Sequence, residues 1–329
     1  MSHESTVRSQ AFPDTKTRKK TKMRQRGNMN DPKQVVVLSG KGGTGKTSVA
    51  AALVDLAAQE QAIAIADADV DASNLDLVLS PERLEEHAFK SGLLAQIDGA
   101  TCIRCGQCEV ACRFEAIVPG TNGSAYRVDP IACEGCAACV YRCPVDAIST
   151  TEPQVGEWYA STTPYGPLYH AHLYAGAENS GKLVTLVKQQ ARLRALDDAR
   201  RLLLVDGPPG IGCPVISAVS GADLALLVVE PTLSGAHDLA RVLQTTTHFG
   251  VPALVVINKA DLSNARTREI EAYCAEQDVP VAAHIPFDTT VTEAMVQGQP
   301  VTIYTKGRVT QAIQAIWSTI KTILAGSPA

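Results

Sequence analysis

Nowhere in the sequence does an uninterrupted apolar run approach the ~18 residues that a membrane-spanning helix needs, and no signal peptide is recognisable. The expected location is the cytoplasm. A large charge of one sign is also missing, the formal net charge being −4. Aromatic residues are few, 5% against 45% hydrophobic overall, a balance ordinary for a soluble α/β protein. At 329 residues the chain can bury a substantial core and allows two domains or one large one. Disulfides are rare in the cytoplasm, so the ten cysteines need another explanation.

The near balance of charge conceals an uneven distribution. Residues 1–33 carry nine Lys or Arg against Glu4, Asp14 and Asp31, a net +6 that leaves −10 on the remainder. Large aliphatic residues are almost missing from that stretch, so it is expected to be a basic disordered tail. Neither nucleic acid nor a membrane is an expected partner beyond a weak contact by this tail. Met23 and Met29 offer alternative starts of translation ahead of the first strand.

The most informative stretch is Val35–Thr47, VVVLSGKGGTGKT. Val35, Val36, Val37 and Leu38 read as a buried parallel strand ending in a glycine-rich turn, which opens into an apolar-periodic segment, Ser48–Leu56. Gly40, Gly45, Lys46 and Thr47 satisfy G-x-x-x-x-G-K-[ST], a pattern that an ~300-residue chain meets by accident about once in a hundred. Gly42 and Gly43 remove further Cβ atoms, so loop amides through Thr44 and Ser48 can close on phosphate oxygens at the positive end of a helix. Lys46 would reach the β and γ phosphates, and the Thr47 hydroxyl would hold Mg²⁺.

A second lysine, Lys41, makes the loop G-K-G-G-T-G-K-T. This resembles the deviant phosphate loop of the ATPases that include MinD, ParA, Mrp and the nitrogenase iron protein. The resemblance implies a nucleotide-dependent homodimer in which Lys41 reaches the partner's nucleotide; the plainer alternative is a solvated surface lysine. Further on, Ala62–Ala66 reads as a second short strand ending in Asp67, Asp69 and Asp71, followed by Asn74-Leu75-Asp76. Carboxylates at such a strand end lie where α/β sheets bind ligands, and clustered carboxylates repel unless a cation is near. By the resemblance this is the first switch, in which Asp69 orients the attacking water and Asp67 supports the Mg²⁺ shell. Asp71 stands where MinD has glycine and is given no role.

Next comes a cysteine-rich segment. Cys102, Cys105, Cys108 and Cys112 are spaced C-x2-C-x2-C-x3-C, and Cys133, Cys136, Cys139 and Cys143 repeat that spacing 31 residues later, ending in Cys143-Pro144. This is the signature of bacterial two-cluster ferredoxins, in which the fourth cysteine of each run serves the other cluster. By that pattern Cys102, Cys105, Cys108 and Cys143 hold one 4Fe-4S cluster, and Cys133, Cys136, Cys139 and Cys112 hold the second. Zinc is the alternative, and a third cysteine at the same short interval suits a cubane better than a tetrahedral ion. Cys213 and Cys274 are left over and read as buried thiols.

Strand-and-helix alternation then resumes. Leu168–Ala175 reads as a strand and Leu202–Val205 as a buried strand ending at Asp206-Gly207-Pro208-Pro209-Gly210. The latter resembles the family's Walker B and second switch, with Asp206 binding Mg²⁺ through water. Asn258-Lys259-Ala260-Asp261 has the letters of a guanine-reading signature, whereas the resemblance implies that Asn258 reads adenine and that Pro286 helps to wall the base pocket. The apolar face of a helix over Val309–Leu324 is expected to pack on the sheet and not on a membrane.

The fold class expected is an α/β P-loop NTPase, a mostly parallel sheet flanked by helices, with an inserted two-cluster ferredoxin domain. Its expected parts are the tail 1–33, ATPase segments 34–92 and 151–329, and the insert 93–150. Expected cofactors are ATP, Mg²⁺ and two 4Fe-4S clusters. Expected partners are a second copy of the chain and an unidentified redox protein. Two roles stay open, an ATPase gating electron transfer or redox regulation, and a maturation or spatial-organisation ATPase with structural or sensory clusters.

Overall fold

A computed structural model describes residues 31–326. The expected basic tail lies outside the described residues except for its last three. Among the described residues the chain opens with β1 (Lys33–Ser39), α1 (Lys46–Glu60) and β2 (Ile63–Asp67), then a short α2 (Asp76–Leu79) and β3 (Glu82–Lys90). Small elements follow: β4 (Leu94–Ile97), α3 (Gln107–Ala111), β5 (Ile117–Val118), β6 (Arg127–Val128), α4 (Ala138–Arg142) and β7 (Ile148–Thr151). The hairpin β8 (Gln154–Thr163) and β9 (Gly166–Leu173) leads to α5 (Ser180–Asp197), β10 (Leu202–Pro209), α6 (Cys213–Val219) and β11 (Leu224–Val229). The chain continues through α7 (Leu233–His248), β12 (Ala253–Asn258), α8 (Asn264–Glu276), β13 (Val281–Ile285), α9 (Thr290–Val296), α10 (Val301–Tyr304) and α11 (Arg308–Leu324).

The large sheet has the order β13-β12-β11-β1-β10-β2-β9-β8-β3. From β13 to β9 neighbouring strands run parallel, while β8 and β3 add an antiparallel edge. Apolar side chains of the central strands alternate between two cores. Val35, Ile63, Leu202 and Leu224 face α1 and α11, whereas Val36, Ala64, Leu203 and Ala225 face α5 to α7. Strands buried on both faces read as continuous apolar runs, which is why these strands were legible. Strand order reverses at β1, so the loop after it opens at the crevice where such sheets bind ligands.

Sequence reasoning missed the outer pair. β3, ERLEEHAFK, buries little beyond Phe89, so an edge strand covered in charge shows no apolar alternation. Its register is set instead by β8, from Glu82 opposite Thr162 to Lys90 opposite Gln154. One further correction concerns Cys213, expected as a buried thiol. It is exposed in the first turn of α6, whereas Cys274 is buried.

Residues 94–151 form their own small unit between β3 and β8. β4 pairs with β7 and β5 with β6, both antiparallel, around Ala95, Ile117, Ile148, Cys108 and Cys139. The sequence repeat is repeated in the backbone. Left-handed residues recur 31 positions apart, at Arg104 and Gly135, Gly106 and Ala137, Glu115 and Asp146. Asp98 donates its amide to the Ala147 carbonyl at 2.8 Å, and Asp129 to that of Ala116 at 2.7 Å. Each half therefore closes on the other.

No helix among the described residues is long and apolar enough to cross a membrane. The face of α11 carrying Ile313, Ile316, Trp317 and Ile320 lies in the core against α1 and the sheet. Because Ile316 is fully buried, Ile316→Ala is expected to cost about 2–5 kcal/mol, read as a lowered midpoint in chemical denaturation. A wild-type midpoint would mean that this face is not core.

Candidate nucleotide site and cysteine cavities

The phosphate loop is built by β1, which ends at Ser39, and by α1, which begins at Lys46. Gly45 precedes α1 with φ 87°, and a Cβ there would lie 2.3 Å from Asn258 Nδ2. Conformation and space both require glycine. A Cβ on Gly42 or Gly43 would meet nothing within 4 Å, so this side of the loop faces open space. Beside it lies a cleft of about 400 Å³ lined by Gly42 to Ser48, Asp69, Asn74, Pro209, Asn258, Lys259, Pro286, Phe287, Asp288 and Met295. That volume lies within the usual range for a small-molecule pocket. Gly42, Gly43, Thr44, Gly45, Lys46, Thr47, Ser48, Asp69, Asn258 and Pro286 were all singled out from sequence, and they meet here.

Beneath the loop lies a buried ionic cluster. Lys46 Nζ is 2.8 Å from Asp206 Oδ1 and 3.3 Å from Asp69 Oδ2. Asp67, fully buried, accepts from the Asp69 amide, the Ser73 hydroxyl and the Asn74 and Leu75 amides at 2.8–3.2 Å. One carboxylate thus shapes the turn after β2 and aims Asp69 at the cleft. Asp67 and Asp206 are register partners on adjacent strands. Burial, and then the neighbouring Asp206 charge, push Asp67 up to about 7 despite the opposing Lys46 ammonium and its hydrogen bonds. The second oxygen of Asp206, Oδ2, is buried and has no hydrogen-bond partner. Three carboxylates thus share one ammonium here, and one Asp206 oxygen is left without a partner.

Gly40 and Lys41 lie outside the cleft lining. Gly40 packs against Asp238 of α7, where a Cβ would come within 2.2 Å of the Asp238 Cβ. Lys41 Nζ is turned to its own chain, 3.3 Å from Glu230 Oε2 and from the Thr232 and Ser234 hydroxyls. Glu230 also binds Lys259 Nζ at 2.5 Å. Sequence reasoning missed this carboxylate because only its place at the end of β11 brings it to the loop.

The cysteines fall into two cavities. Cys102, Cys105, Cys108 and Cys143 line one with Ile97, Ile103 and Tyr126, and Cys112, Cys133, Cys136 and Cys139 line the other with Ala95, Phe114 and Ile117. The Ala147 amide donates to Cys143 Sγ at 3.2 Å. Among the described residues no three His, Cys, Asp or Glu side chains converge as on a single metal ion.

A glycine-rich loop between a buried parallel strand and a helix, with a lysine and strand-end carboxylates, defines a P-loop nucleotide-binding protein. The chain belongs to the CobQ/CobB/MinD/ParA nucleotide-binding family of P-loop ATPases, whose model matches residues 35–301. The uncharacterized protein MJ0578 of Methanocaldococcus jannaschii is 34% identical over 233 residues, 70% of this chain and 79% of its own length. A cytosolic Fe-S cluster assembly factor Nubp1 homolog of Drosophila grimshawi is 30% identical over 140 residues, 36% of this chain and 45% of its own. The septum site-determining protein MinD of Pyrococcus horikoshii OT3, solved with Mg-ADP, has a similar fold with a TM-score of 0.56, 20% identity, and coverage of 89% of this chain and 97% of that one.

The raised Asp67 sets a pH dependence. Between 3.8 and about 7 the folded protein holds a proton that the unfolded chain has released. This contribution to stability is therefore full below that window and is lost as pH rises through about 7. Thermal melts of nucleotide-free protein are expected to show that slope, and Asp67→Asn should flatten it. Parallel pH profiles for the two proteins would rule this out.

Proposed function

We propose that this chain is an ATP-binding and ATP-hydrolysing iron–sulfur protein in which nucleotide-driven dimerisation is coupled to a two-cluster ferredoxin module, for ATP-gated electron transfer or redox-linked regulation of a partner protein. The observation that carries it is the division of eight cysteines into two apolar-walled cavities, each lined by one of the crossed quartets expected from the spacing. Four cysteines per cavity, with an amide donor to the Cys143 sulfur in one of them, fit 4Fe-4S cubanes, which supply one-electron storage when bound. At the other site the loop amides and Lys46 would hold the phosphates, Thr47, Asp67 and Asp206 the Mg²⁺, and Asp69 the attacking water. Asn258 and Pro286 lie at the base end.

The coupling has a covalent basis. The small unit enters from β3 and leaves into β8; these two strands pair, and β8 turns back into β9 beside β2, the strand that ends at Asp67. A unit whose halves close on each other moves as a rigid body when that edge of the sheet shifts. The family likeness also supports a homodimer on ATP, for which Lys41 would have to leave Glu230. The Nubp1 likeness favours a second reading, a maturation ATPase. Against simple cluster delivery, Cys274 stands alone and buried, its thiol pushed up to about 11 chiefly by burial.

Removing Lys46 or Asp69 is expected to lower Mg²⁺-dependent ATP hydrolysis by orders of magnitude, since this chemistry depends on positioning and charge neutralisation. A Lys46→Ala protein with wild-type phosphate release would overturn the site assignment. With hydrolysis blocked by Asp69→Ala, ATP should give a dimer in light scattering, and adding Lys41→Ala should return it to monomer. For the coupling, electron paramagnetic resonance titrations with and without a non-hydrolysable ATP analogue are expected to differ in midpoint potential, with reciprocal dependence of ATP affinity on reduction. Identical spectra, potentials and chelation rates would leave the two halves independent.

A further inference from the structure

In a guanine-reading signature the last carboxylate must face guanine's ring N–H and 2-amino donors. In this chain Asn258, Lys259 and one carboxylate oxygen of Asp261 are engaged elsewhere. Asn258 Nδ2 donates to the Thr44 carbonyl at 2.7 Å, while its Oδ1 accepts the Lys259 amide at 3.0 Å. Lys259 Nζ lies between Glu230 and the Gly43 carbonyl. Asp261 Oδ1 accepts the Phe287 amide at 2.7 Å, across 26 residues of chain. Pro286, Phe287 and Asp288 line the cleft, and Asp261 is not among its lining residues.

Phe287 is 52% exposed, so its own packing does not fix the turn. Asp288 fastens the far side by accepting the Thr290 amide and hydroxyl at 2.8–2.9 Å. Asp261 is the matching fastening on the near side.

We propose that Asp261 is a positioning residue that clamps the 286–288 turn beside the cleft through the Phe287 amide, and that it acts on base binding through this turn and not by touching the base. The assignment rests on the reading of the cleft as a nucleoside triphosphate site. Its test is calorimetry on the full chain with Mg²⁺ and non-hydrolysable analogues of ATP, GTP and xanthosine triphosphate, with inorganic tripolyphosphate as a ligand lacking a base.

Wild type is expected to bind the ATP analogue at least ~10-fold tighter than the GTP analogue. Asp261→Ala should weaken the ATP analogue about 10-fold, the scale of one charge-assisted hydrogen bond. Asp261→Asn keeps an acceptor oxygen and should recover most of that loss. Tripolyphosphate affinity should stay unchanged in both variants, since a clamp on the base turn does not touch the phosphate loop. The clamp is overturned if Asp261→Ala binds the ATP analogue as wild type does, or loses tripolyphosphate to the same degree. Action through the turn is overturned if Asp261→Asn gains the xanthosine analogue at the expense of the guanosine one, because an amide donor facing the xanthine 2-oxo group requires direct contact with the base. Wild type binding none of the three nucleotides would overturn the nucleotide reading itself, and this assignment with it.

Discussion

The buried contact of Lys46 with Asp206 and Asp69 is the constraint on which the nucleotide site depends. Its members come from the end of the phosphate loop, from β10 and from the turn after β2, so the contact forms only when three distant parts of the chain are in register. Charges held out of water are tolerated only when paired, and removing one partner of such a pair typically costs about 3–5 kcal/mol. One lysine cannot balance three carboxylates. The excess is met in part by the raised Asp67 and its four hydrogen bonds, and one oxygen of Asp206 is left without a partner.

A second balance of charge lies on the other side of the loop. Glu230 holds Lys41 and Lys259, and Lys259 also touches the Gly43 carbonyl. Asn258 grips the Thr44 carbonyl beside it. The loop is thus fastened by its own carbonyls to the end of β12, which leaves its amides free to face the cleft. Lys41 is one-third exposed while Glu230 is largely buried, and Lys259 gives Glu230 a second ammonium partner.

What the sequence made legible was local. The phosphate loop, the acid Asp206 within β10 and the 31-residue cysteine repeat are each contained in a short stretch whose chemistry dictates its spacing, and central strands announce themselves by being apolar on both faces. The missed features are pairings across long separations. β3 has no apolar signal because β8 supplies its register. Glu230 and Asp261 look like ordinary strand-end acids until the fold sets them beside Lys41 and the Phe287 amide. Cys213 was misjudged for the opposite reason, since its apolar neighbours in α6 suggest burial while the first turn of that helix faces outward.

The position of the small unit follows from the same logic. An insertion in the parallel centre of the sheet would break the strands that carry Asp67 and Asp206, so it can be accommodated only where pairing is least constrained. β3 and β8 lie at that antiparallel edge, where a hairpin connection can lengthen without disturbing register. Yet the edge is not remote, because β8 pairs with β9 and β9 with β2, and His170 of β9 lies 3.1 Å from Ser161 of β8 and 4.0 Å from Asp76 in the helix that follows the Asp67 turn. Asp67 is therefore linked to the strands that carry the small unit by backbone pairing and one buried histidine.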